Sequence, residues 1–222
     1  SARRLGRQIH DVRQPSRAYD VADGRPRSGK RLLTVGTDCA CGKKYTALAI
    51  EKAMRERGMN ADFRATGQTG ILITGEGVAI DAVVADFISG AVEAHAPAND
   101  PDHWDVVEGQ GSLFHASFAG VSTGLLHGAQ ADALVLCHEP TRTHMRGLPH
   151  YPLPDLEACI AANLAVGRLT NPKVRFVGVS VNTSNLSDEA AARCLSDIEA
   201  RTGLPTVDPV RTGAGRIVDA LA

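Results

Sequence analysis

Aromatic side chains are scarce: one Trp, three Tyr and five Phe among 222 residues. The core therefore has to be built from Ala, Val, Leu and Ile. No run of 18 apolar residues occurs, so there is no candidate for a helical membrane span. No basic-then-apolar leader opens the chain, and nothing in it points to secretion. The cysteines (Cys39, Cys41, Cys137, Cys159 and Cys194) are five, an odd number, and none form a Cys-x-x-Cys pair. That argues against a disulfide framework or a cysteine zinc site and for reduced thiols in the cytoplasm. Histidines 115, 127, 138, 144 and 150 crowd the middle of the chain, yet no His-Glu-x-x-His is present: His138-Glu139-Pro140-Thr141 runs on to Arg142. No metal site is expected. The net charge is −1, but residues 1–31 hold nine Lys/Arg against three Asp/Glu. Only Tyr19 is interleaved with these basic residues, which does not make a base-stacking platform. Neither a nucleic acid nor a membrane is expected as a partner.

Glycine is plentiful instead, 22 residues, or about 10 % against a usual ~7 %. Residues 10–30 are polar and broken by Pro15, Gly24, Pro26 and Gly29, so 1–30 reads as a linker or extended arm. From residue 31 short apolar runs alternate with amphipathic ones. Strands are expected at 32–35, 61–65, 105–108, 133–137, 174–181 and 206–207. Helices are expected at 43–57, 81–95, 121–127, 153–166, 187–202 and 213–220. This alternation predicts an α/β fold over 31–222, a mostly parallel sheet with helices on both faces.

The strongest feature follows the first strand and opens the first helix: Gly36-Thr37-Asp38-Cys39-Ala40-Cys41-Gly42-Lys43-Lys44-Tyr45-Thr46. A glycine-rich turn in that position aims backbone amides and a helix N-terminus at phosphate oxygens, and Lys43 adds a full charge. Two details depart from the ordinary phosphate loop. Five residues, rather than four, separate Gly36 from Gly42, and Lys44 stands where a magnesium-binding hydroxyl is usual, with Thr46 two places later. A second feature, Val106-Val107-Glu108-Gly109-Gln110-Gly111-Ser112, ends the third strand. Ligands of open α/β sheets bind beyond the carboxyl ends of the strands, so Glu108 should face the loop.

The five-residue spacing resembles the loop of dethiobiotin synthetases, whose corresponding strand ends in Glu-Gly-Ala-Gly. A closer resemblance spans nearly the whole chain, through GTDCACGKKYTALAIEKAMRERG, RATGQTGILITGEGVAIDAVVADFISGAVE, VVEGQGSLFH and DALVLCHEPTR. These runs are similar to the P-loop family that includes the D-glutamate N-acetyltransferases. The resemblance implies a P-loop NTPase-like three-layer sandwich. It also implies an N-terminal Rossmann-like domain, absent from this chain, for which residues 9–24 are the linker. Its members often carry Gly-Lys-Met in the loop, so Lys44 is a departure that leaves Lys43 and the glycines in place.

Other candidates fall on the same edge of the sheet. Arg64 and Arg142 could each hold a carboxylate or phosphate in two-point fashion. Gln68, Thr69 and Gln110 could contact a polar substrate. Asp86 interrupts an apolar helix face. Asn182 ends the fifth strand, where an amide could read an adenine, and Asp208 to Arg211 end the sixth, where turn chemistry is an equal reading. Cys39 and Cys41 lie on the loop, where amides could lower a thiol pKa, although small residues fitting the turn are the simpler reading.

The leading expectation is transfer of an acetyl group from acetyl-CoA to the amine of an acidic D-amino acid, D-glutamate by resemblance. The loop would hold the coenzyme phosphates, Glu108 would serve as base, and Arg64 or Arg142 would bind the substrate carboxylate. Alternatives are an ATP- and magnesium-dependent ligase or kinase of the dethiobiotin synthetase type, and a non-catalytic nucleotide-binding domain. The partners expected are a small-molecule substrate, the missing N-terminal domain and further copies of the chain.

Overall fold

The computed structural model describes residues 2–9, 11–15 and 17–222. Within the stretch expected to be a linker, Ser1, His10 and Ser16 lie outside the described residues. A six-stranded sheet forms the centre, in the spatial order β2 (Ala61–Arg64), β3 (Trp104–Val107), β1 (Lys30–Gly36), β4 (Ala133–His138), β7 (Arg175–Val181), β8 (Thr206–Val207). Every neighbouring pair in it is parallel. The chain leaves β1 toward β2 and β3 on one side and later crosses to β4 on the other. The phosphate loop therefore leaves the sheet at its topological switch point, where an open α/β sheet offers a crevice.

Alternation along the strands feeds a core on each face. Leu33 and Val35 of β1 and Leu134 and Leu136 of β4 point to a core closed by α3 (Ile88–His95), α4 (Ala119–Ala129), α5 (Leu156–Gly167) and α6 (Asp188–Thr202). Leu32, Ala133 and Val135 point to the opposite core, closed by α1 (Lys43–Glu56) and α7 (Gly215–Asp219). Ser187 caps α6 as its sequence position suggests, its side chain accepting from the Ala190 amide.

Three parts differ from the sequence reading. The helix expected over 81–95 begins at Ile88, preceded by 3-10 turns at Ile80–Ala82 and Ala85–Phe87. The Val78 and Ile80 amides donate to the Ala65 and Thr66 carbonyls, which holds this stretch against the end of β2. The β-branched pair Val83 and Val84 then runs extended. After β2, where the sequence reading expects no helix, stands a two-turn helix, α2 (Gln68–Thr74), closed by Gly75 at φ 81°. Between β4 and α5 stands a small antiparallel hairpin of β5 (His144–Met145) and β6 (Leu148–Pro152), rooted by the fully buried Met145.

The arm is not free along its length. The Asp23 and Gly24 amides donate to Glu93 of α3, and Arg27 donates to the Gly128 and Ala129 carbonyls at the end of α4. A side chain at Gly90 would lie 2.0 Å from the Asp20 carbonyl oxygen. Residues 17–29 thus form a strap laid directly on helix backbone.

Candidate functional site

The loop conformation is set by two left-handed residues, Ala40 (φ 51°) and Gly42 (φ 109°). Between and after them the backbone N–H groups of Ala40, Cys41, Gly42, Lys43 and Lys44 have no acceptor among the described residues. Five free amides at the start of a 14-residue helix form an anion-binding concavity. Lys43 is buried and its Nζ donates to the Asp38 carbonyl at 2.7 Å, folded back along the loop.

Asp38 braces this shape from beneath. Its Oδ1 accepts from the Cys39 amide at 2.6 Å, and its Oδ2 accepts from Arg142 Nη1 at 2.5 Å and the Arg146 amide at 2.8 Å. Burial pushes the Asp38 carboxyl up, but Arg142 and the two amides outweigh it and leave its pKa below the ordinary value. Arg142 also donates to the Cys39 carbonyl and pairs with Glu139. It is therefore a clamp on the loop and not a free anion receptor, in contrast to the role expected for it. Arg64 is likewise engaged: its Nε donates to the buried Asp105 at 2.6 Å.

Glu108 stands across the cleft. Its Oε2 accepts from the Thr66 and Gly67 amides at 3.0 and 3.2 Å, while Oε1 accepts no hydrogen bond from the described residues. Burial raises its pKa; the two amides and then Lys44 and Lys43 oppose that rise without cancelling it. Gly109 is required at the next position, because a Cβ there would lie 1.6 Å from the Thr34 carbonyl oxygen. A cleft of about 400 Å³ is lined by Cys39, Ala40, Gly42, Lys43, Lys44, Tyr45, Glu108 to Gly111 and Asn182. Gln110 is tied to Thr66 Oγ1 through its amide nitrogen.

A second pocket of about 250 Å³ shares Gly42, Tyr45 and Asn182 with the cleft and continues to Pro209 and Val210. Tyr45 and Val210 are among the most exposed large apolar side chains at this edge. Asp208 lies beneath it. Despite burial, hydrogen bonds from Thr183, Val210 and Arg211 hold its pKa down, so its role is turn chemistry.

Thr46 is buried with its hydroxyl against Ser180 at 2.7 Å, so it does not replace the hydroxyl missing at Lys44. The Lys44 ammonium lies over the Tyr45 ring at 4.7 Å. Gln68 and Thr69 are exposed at the start of α2, outside the cleft lining. Asp86 is exposed on a 3-10 turn, also outside it. Burial and then Asp38 raise the Cys39 thiol pKa, opposite to the lowering a reactive thiol needs. Cys41 is buried and donates to the Asp38 and Cys137 carbonyls. Burial lowers His138 to about 4, so it is neutral beside Thr37 Oγ1, 3.1 Å away.

Asp38, Cys39 and His115 offer ligand atoms within 4.8 Å of one another. Both Asp38 oxygens are hydrogen-bonded. His115 accepts the Ser117 amide on Nδ1 and faces the Arg146 carbonyl with Nε2. The trio braces the loop and is not arranged as a metal centre. The hairpin and the bracing role of His115 escaped the sequence reading, whereas Pro209 and Val210 fall within the stretch 208–211 that it singled out. The usable signal for the hairpin was Gly147, which turns the chain between Arg146 and Leu148 at φ 79°.

Among the described residues no helix is long and apolar enough to cross a membrane. A model of the P-loop domain of DUF1611, a domain of unknown function, matches residues 20–218. The chain is 58 % identical over 221 residues to a D-glutamate N-acetyltransferase of Tritonibacter scottomollicae and 57 % identical over 208 residues to one of a Pseudoalteromonas species. It spans 66 % and 63 % of the lengths of these two relatives, 100 % and 94 % of itself being matched. Among solved structures, a DUF1611 family protein from Anabaena variabilis superimposes with a TM-score of 0.90 at 39 % identity, over 97 % of this chain and 64 % of that one. Cobyrinic acid a,c-diamide synthase from Mycobacterium smegmatis, with bound ADP and magnesium, aligns at a TM-score of 0.53 and 15 % identity over 86 % of this chain and 91 % of its own. That likeness is one of fold.

Proposed function

The chain belongs to the DUF1611 P-loop family, and from that premise we propose that it transfers an acetyl group from acetyl-CoA to the amine of an acidic D-amino acid, D-glutamate by the names of its relatives. The observation that carries this reading is a single cleft that sets five free loop amides opposite a buried carboxylate.

The residues fit the coenzyme. The loop amides, Lys43 and the α1 N-terminus suit a diphosphate. The adjoining pocket, with Tyr45, Asn182 and Val210, suits a purine: one flat apolar wall and one amide. A diphosphate that is held and not cleaved tolerates Lys44 where a magnesium-binding hydroxyl is usual, and a second ammonium there adds attraction. The coenzyme's thioester supplies the acetyl group. The protein's part is to orient the amine and receive its proton, and Glu108 Oε1 is the acceptor in the cleft. Burial strengthens Glu108 as a base, while the Thr66 and Gly67 amides oppose that rise and favour its anion.

Incubation with acetyl-CoA and D-glutamate, beside a parallel incubation with ATP and magnesium, tests the proposal. Release of free coenzyme thiol with no ATP present is the expected result. Release of ADP with no thiol would replace it with the ligase or kinase reading.

A further inference from the structure

An acidic acceptor carries charge that a cleft built for phosphates must also neutralise, and the two arginines best placed by sequence are engaged elsewhere. Arg64 is bonded to Asp105, and Arg142 to Asp38 and Glu139. We propose that Arg146, at the tip of the β5–β6 hairpin, receives the side-chain carboxylate of the acceptor and so selects acidic amino acids. This rests on the acetyltransferase reading above.

The backbone of Arg146 is pinned from both sides. Its N–H donates to Asp38 Oδ2 at 2.8 Å, and its carbonyl faces His115 Nε2 at 3.1 Å. His115 Nε2 donates there, because its Nδ1 accepts the Ser117 amide. Preceding it, Met145 is fully buried and anchors the hairpin. The side chain of Arg146, in contrast, is exposed, makes no hydrogen bond and has no carboxylate within 4.0 Å among the described residues. A residue held by its main chain against the phosphate loop, with an unpaired guanidinium, is preorganised for an anion that arrives with the substrate. Its charge is felt by Cys39, which lines the cleft.

Its position favours the acceptor over the coenzyme. The base pocket opens between the start of α1 and the segment leading to α7. Arg146 sits on the other side of the loop, bonded to the segment that leads into α4. With the purine in its pocket and the diphosphate in the loop, the far side is left to the acyl end and the acceptor. A planar guanidinium there offers two parallel N–H donors to a carboxylate, which a side-chain amide cannot match.

The test reads binding rather than turnover. D-glutamate and its neutral isostere D-glutamine are titrated calorimetrically into the chain saturated with CoA, as wild type, Arg146→Ala and Arg146→Lys. CoA alone is titrated into each as well. The wild type should prefer D-glutamate. Arg146→Ala should bind D-glutamate at least tenfold more weakly and lose the preference, Arg146→Lys should recover part of it, and CoA affinity should be equal in all three. Equal D-glutamate affinity in wild type and Arg146→Ala overturns the assignment of Arg146 and leaves the reaction intact. A fall in CoA affinity instead shows that Arg146 reads a coenzyme phosphate. A wild type that binds CoA but neither amino acid removes the acceptor itself.

Discussion

Glu108→Gln keeps the shape of the side chain and its bonds from Thr66 and Gly67 but removes its basicity. In steady-state assays the rate should fall by roughly 10²-fold or more, the scale of general-base loss, with CoA affinity little changed. Because burial raises the Glu108 pKa, the acid limb of the wild-type rate profile should lie above the ordinary carboxylate range. Activity should be lost as the pH falls through that raised value, and the limb should be absent in the Gln variant. Asp38 has the opposite sign. Its folded pKa is depressed, so its stabilisation is present above the unfolded carboxyl pKa and is lost as the pH falls through the folded one. Asp38→Asn leaves the guanidinium of Arg142 with Glu139 as its one buried carboxylate and should cost about 1–3 kcal/mol in denaturant melts. Glu108 and Lys43 were legible in the sequence because each belongs to a contiguous motif after a strand. The engagement of Arg64 and Arg142 was not, because their carboxylates lie 41 and 104 residues away along the chain.

At the scale of elements, α2 packs against the Glu108 carboxylate, the base of the proposed reaction. A Cβ at Gly70 would lie 2.4 Å from Glu108 Oε2 and 3.0 Å from the Ala65 Cβ. Helix propensity alone favours alanine there by about 1 kcal/mol, so any loss in Gly70→Ala reports the contact. The substitution should reduce the rate at least tenfold and lower stability by about 1–3 kcal/mol, with calorimetric CoA affinity preserved. An unchanged rate would show that the position of Glu108 does not depend on α2. The strands and the longer helices could be placed from periodicity and caps, as Ser187 illustrates. The segment around Ile80 and Val83 could not: its apolar pattern suits a helix, but the Val78 and Ile80 amides are claimed by the Ala65 and Thr66 carbonyls just after β2. The hairpin escaped because two-residue strands carry no period.

The whole molecule joins two cores across one sheet, and the strap of residues 17–29 seals the edge of the core under α3 and α4. Glu93 holds that strap through two amides and the nearby Arg27. Glu93→Ala should expose the strap to limited proteolysis and cost about 1–2 kcal/mol, without altering CoA affinity, because the strap lies away from the loop. The mostly parallel α/β sheet followed from the alternation of the sequence. The docking of a polar, Pro- and Gly-broken arm did not, since it depends on the bare backbone at Gly90.

The central claim, that the loop cradles the phosphates of coenzyme A, is tested most directly by calorimetric titration of CoA in the presence of EDTA, for the wild type and Lys43→Ala. The account predicts binding without a divalent cation, weakened more than tenfold by Lys43→Ala. Absence of CoA binding, together with ATP binding that requires magnesium, would contradict it.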